Sequence, residues 1–138
     1  MTIGLLIIGM GLSAQVATRN TTASGFQSTA MGNGTTASGD YSTAIGASTT
    51  ASGAASTAMG AGTTASDFAS LSIGRLNKSN ATVTSGGSAT TYSANNTAFV
   101  IGNGTADNAR SDAFKVMFNG DATVSKDLTV NGVVNTSS

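Results

Sequence analysis

Few residues in this 138-residue chain can carry chemistry. Histidine and cysteine are absent, so there is no imidazole base, thiol nucleophile, disulfide or Cys/His zinc site. The nineteen serines have no histidine for a triad, and no lysine stands in an S-x-x-K arrangement. Gly102-x-Gly104 lacks the third glycine and the following helix of a dinucleotide fingerprint and reads as a plain turn. All six acids are aspartate. Asp107, Asp112, Asp121 and Asp127 match neither an EF-hand loop nor a glycine/aspartate calcium repeat, so no metal is expected. Arg110 with Asp112 reads as a structural ion pair. Net charge is zero and no Lys/Arg cluster exists, which leaves nucleic acid no electrostatic footprint. The expectation is a non-enzymatic chain without cofactor.

The elements that would position any functional residue come from a repeat. Ser28–Tyr41 reads STAMGNGTTASGDY, Ser42–Ala55 STAIGASTTASGAA and Ser56–Ala69 STAMGAGTTASDFA, a period of 14. A degenerate unit precedes them from Ala14, and a half-unit, SLSIGR, follows to Arg75. Side chains alternate between faces along a strand. Ser42, Ala44 and Gly46 therefore share one face of a first strand, with Thr43 and Ile45 on the other. Thr49, Ala51 and Gly53 share one face of a second strand, with Thr50 and Ser52 opposite. The small faces meet inside a narrow parallel β-roll: two five-residue strands and two glycine-marked bends per turn. The expected interior is Ala30, Ala37, Ala44, Ala51, Ala58 and Ala65. Met31, Ile45, Met59 and Ile73 form an outward apolar column, and an apolar column on a thin polar roll marks an interface. Thr22, Thr36, Thr50 and Thr64 make a polar ladder on the other side. Because the paired threonines are adjacent, only one column faces out, a poor match to the T-x-T of ice-binding solenoids.

The motif STA[MI]G…TTASG resembles the head repeats of trimeric autotransporter adhesins, over about Ala14 to Arg75. The resemblance implies a left-handed parallel β-roll that assembles as a homotrimer through the Met/Ile column. Asp67 replaces the second glycine of the last full unit and marks the end of the roll.

After Arg75 the period stops. Residues 77–97 are polar and low in complexity, a linker or loop layer. Short apolar runs then alternate with Gly102-Asn103-Gly104, Asn119-Gly120 and Asn131-Gly132, so residues 98–138 read as short strands and tight turns. TAFVIGNGTADNARSDAFKVMFNGDATV, with Leu128-Thr129-Val130-Asn131-Gly132 after it, is similar to a neck of bacterial surface and phage tail-fibre-like proteins. In that family a self-cleaving chaperone of the endosialidase type follows. The resemblance implies a junction at Ser137-Ser138, with the precursor continuing in Asp.

Residues 1–15 stand apart. Ile3 to Leu12 is apolar and Ser13-Ala14-Gln15 has the small residues of a cleavage region, like the end of a secretory signal peptide, though no positive charge precedes Arg19. The alternative is a retained apolar plug, in which Ile3, Leu5, Leu6, Ile7 and Ile8 dock copies end to end. The whole chain thus reads as all-β: a signal-like segment (1–15), a roll (16–76), a loop layer (77–97) and a β neck (98–138). The expected role is a secreted or cell-surface fibre segment that attaches to an unknown receptor. The alternatives are a filament subunit or a virion tail fibre.

Overall fold

The computed structural model describes residues 14–78 and 83–136, with the backbone course alone for 14–18. All its regular structure is strand. A long sheet begins with β1 (Ala14–Arg19), β3 (Thr29–Asn33), β5 (Thr43–Ala47), β7 (Thr57–Ala61) and β9 (Leu71–Arg75). A short sheet holds β2 (Thr22–Ala23), β4 (Thr36–Ala37), β6 (Thr50–Ala51) and β8 (Thr64–Ala65). Every neighbour pair within these sets is parallel. Each residue from Thr29 to Ala47 in the long sheet sits beside the one fourteen later. The chain is therefore a β-solenoid with one repeat unit per coil. The first junction carries a bulge between Ala17 and Arg19.

The short-sheet strands are two residues long, not the five expected. The chain is already turning there: the N–H groups of both Ser38 and Gly39 donate to the one carbonyl of Ala51, at 2.9 and 3.2 Å. That carbonyl has no second ladder partner to offer, so the strand ends.

The interior is one small side chain wide. Ala30, Ala37, Ala44, Ala51, Ala58 and Ala65 are 0–1% exposed and form the core cluster, interleaved with buried Ser28, Thr35, Ser42, Thr49, Ser56 and Thr63. Glycine is required where coils approach most closely. A Cβ on Gly46 would lie 2.0 Å from the carbonyl oxygen of Gly60, and the Gly46 φ of 128° excludes other residues independently. Gly25, Gly39 and Gly53 repeat the close approach at the opposite corner, each beneath the next coil.

The long sheet continues past Arg75. After an excursion, β10 (Thr97–Asn103) lies parallel to β9 with Ile101 beside Ile73 and Gly102 beside Gly74, an offset of two periods. β11 (Asp112–Met117) and β12 (Ala122–Val124) then add antiparallel strands. Val100, 2% exposed, takes the inward position that Ser72 holds one coil earlier. The short sheet gains no fifth strand, and the interior opens there into a cavity of 340 Å³ lined among others by Asp67, Asn77, Val100 and Lys115.

Side chains close the last coil. In earlier coils the N–H groups of Thr22, Thr36 and Thr50 donate to the carbonyls of Thr35, Thr49 and Thr63. Thr64 N–H donates instead to Asn77 Oδ1 at 2.8 Å, and Asn77 Nδ2 donates back to the Thr64 carbonyl at 2.9 Å. The amide side chain does for β8 what a further strand would do. At the glycine corner no coil overlies residue 67, so a side chain fits. The Asp67 carboxylate accepts from Thr84 N–H, Thr84 Oγ1 and Thr97 N–H at 2.6–2.7 Å. At the third corner Arg110 donates to the Gly62 carbonyl at 2.7 Å.

Candidate interaction surface

The outward face of the long sheet is built from two positions of each strand. One position stacks Met31, Ile45, Met59 and, by strand order, Ile73. Met31 and Met59 are 38% and 41% exposed, while Ile45 and Ile73 are half-buried. Their branched side chains lie closer to the sheet than the linear methionines, which stand out from it. The other position stacks Thr29 on Thr43 on Thr57 and then becomes apolar at Leu71.

Both columns run beyond the repeat. Ile101 lies beside Ile73, Phe114 opposite Ile101, and Val124 opposite Phe114. Phe99 lies beside Leu71 and Val116 opposite Phe99. The Phe99 and Phe114 rings meet edge to face at 6.2 Å. The apolar stripe is thus one residue wide along the roll and two wide from β9 to β11. Within the repeat the sequence marks Met31, Ile45, Met59 and Ile73; for the members beyond it the signal is Ile-Gly at 73–74 and again at 101–102, two periods apart.

The short sheet presents Thr22, Thr36 and Thr50 outward in register. Thr64, the fourth of that ladder, is 7% exposed. Three of the four acids of the second half, Asp107, Asp112 and Asp121, have another task. Asp107 pairs with Arg110 at 2.8 Å, so the expected Arg110–Asp112 pair does not form. The tight turn bridged by Ala106 and Ala109 brings residues three apart together, whereas Asp112 begins β11 and accepts from Lys78 N–H at 2.7 Å. Asp121 accepts from Asn119 Nδ2. Among the described residues no group of three His, Cys, Asp or Glu side chains converges on a metal position. Ile3, Leu5, Leu6, Ile7 and Ile8 lie outside the described residues.

A repeating 14-residue coil with an alanine core and an outward Met/Ile column makes this chain a β-solenoid. Residues 23–49 match the YadA head domain repeat in two copies. The matched span runs from Ala23, in β2, through β5 to Thr49, just before β6. Strand register carries the same unit on to Arg75, outside the matched residues. Comparison with curated proteins and with solved structures gave no match.

Proposed function

We propose that this chain is a segment of a homotrimeric attachment fibre displayed at a cell or virion surface. Met31, Ile45, Met59 and Ile73 turn to the common axis. The roll (16–76) forms the head, the loop layer (77–97) links, and residues 98–138 form a neck that prolongs the same interface through Ile101, Phe114 and Val124. The observation that carries this reading is the apolar stripe of the long sheet. Its side chains are only partly covered by their own chain, while the roll interior is already filled by Ala, Ser and Thr. Burying a Met or Ile side chain is worth about 1.5–3 kcal/mol, so four such rungs, tripled by symmetry, hold copies together. The match of residues 23–49 to an adhesin head repeat supports the assignment to surface attachment. Weak contacts of one head are multiplied by three in such a fibre.

Sedimentation equilibrium tests the reading. The unaltered chain should sediment at three times its monomer mass and Ile45→Asp as a monomer, because a carboxylate cannot be desolvated at the axis without a partner. Thr50→Asp, on the short sheet, should remain trimeric. A monomeric unaltered chain, or a trimeric Ile45→Asp, overturns it.

A further inference from the structure

One corner of the roll differs from the rest of its Ala/Ser/Thr/Gly surface. It is formed by the thirteenth and fourteenth residues of each unit: Phe26-Gln27, Asp40-Tyr41, Ala54-Ala55 and Phe68-Ala69. The fourteenth residues Tyr41, Ala55 and Ala69 hold φ of 56–58°, and their N–H groups donate to the carbonyl of the thirteenth residue one coil back. The thirteenth N–H of each coil is left outside this ladder. Phe68 N–H donates to the Ser88 carbonyl and Ala54 N–H to the Ala89 carbonyl, at 2.8 and 2.7 Å, from the loop laid along the corner. Phe26 N–H donates to Asp40 Oδ1 at 2.9 Å. Only the second coil differs: Asp40 N–H has no partner among the described residues.

The same place carries the roll's exposed aromatic pair. Phe26 and Tyr41 are 44% and 58% exposed and meet edge to face at 5.5 Å. Asp40 reaches along the corner to Phe26 N–H, so its carboxylate stands on the same file as its own unpaired N–H. Its Oδ2 accepts no bond from any described residue. A donor, an acceptor and an exposed ring pair thus lie side by side. A secondary amide with a methyl group matches all three: its carbonyl takes Asp40 N–H, its N–H gives to Asp40 Oδ2, and the methyl and adjoining ring carbons rest on Tyr41 and Phe26.

We infer that the Phe26–Asp40–Tyr41 corner binds the acetamido group of an N-acetylated sugar. The length of the site selects sugar over peptide. The amides one coil above and one coil below are already taken, by Asp40 itself and by Ala89, so an extended peptide finds no second main-chain contact. One acetamido group backed by a pyranose face needs only the one. This names a ligand class for the attachment reading above and rests on that reading for its biological sense. Binding and trimer mass are measured separately on one sample, so either can fail alone.

The test is a titration of the full isotope-labelled chain with diacetylchitobiose, followed by the Asp40 amide and Tyr41 ring resonances. Both should shift at millimolar sugar and neither with cellobiose, which lacks the acetamido group. Asp40→Asn keeps an acceptor for Phe26 N–H but replaces Oδ2 with a donor. Tyr41→Ala places at Tyr41 the residue that Ala55 and Ala69 already supply at the same φ. Each should weaken binding about tenfold or more, the scale of one well-paired polar or ring contact, with the trimer mass unchanged. No shift with diacetylchitobiose overturns the inference. So does an equal response to cellobiose, which would reduce the site to bare ring stacking. An equal response to N-acetyl-alanine methylamide also overturns it, since an amide without sugar would then suffice.

Discussion

At the scale of single residues, steric demand between coils governs this chain more than side-chain chemistry does. Gly46 is the sharpest case, because both its φ and its distance to the Gly60 carbonyl forbid a Cβ. Gly46→Ala must push two coils apart or distort both. We expect it to lower the stability of the fold by about 3–5 kcal/mol, read from chemical denaturation. Gly34→Ser should be nearly silent, because Ser48 fills the equivalent corner at φ 54°. The pattern explains what was legible in the sequence. A glycine column that breaks at Asp67 announces that no further glycine corner stacks over residue 67, and loop residues cover it instead. The partners of that carboxylate, Thr84 and Thr97, were not legible. They lie 17 and 30 residues away in a stretch with no period to place them. Thr35, Ser42 and Thr49 add a cost no sequence pattern shows: their buried hydroxyls find no partner in the roll.

At the scale of elements, a solenoid must end somewhere, and an unpaired strand edge invites association. The short sheet ends on Asn77, whose amide offers one acceptor and one donor at the places where a further strand would offer them. Asn77→Ala leaves Thr64 N–H without a partner, at roughly 1–3 kcal/mol for a group left unsatisfied, while the Thr64 carbonyl keeps only Ser72 Oγ. Hydrogen exchange should report it locally: Thr64 N–H loses protection while Thr50 N–H, bonded to the Thr63 carbonyl, keeps its own. Equal loss at both positions would mean that Asn77 supports the whole roll rather than its edge. The same region shows where strand prediction fell short. Alternation identified the faces of both strands correctly, yet the second strand shrank to two residues because its end is spent on the corner. A strand at β10 was expected, but its place as a further rung of the roll's long sheet was not legible, because it follows an excursion of a full extra period that hides the repeat of Ile-Gly from a search at 14.

At the scale of the whole molecule, two surfaces divide the work. The long sheet carries an apolar stripe, and the short sheet presents threonines outward. The stripe widens where the repeat ends, at Leu71, Phe99 and Val116, so the apolar face is broadest outside the part of the sequence that is easiest to recognise. The alanine core has a thermal consequence. Apolar exposure raises the heat capacity of unfolding and polar exposure lowers it. A roll that hides six alanines among hydroxyls and backbone amides exposes little of the first and much of the second. Calorimetry of Ile45→Asp should therefore give a heat-capacity change below the usual ~12–15 cal/mol/K per residue, and the unaltered chain a larger one if it assembles as proposed. With so little curvature, the stability of the roll changes slowly with temperature, so the roll should tolerate cooling and warming that would carry a greasier domain of equal stability off its optimum.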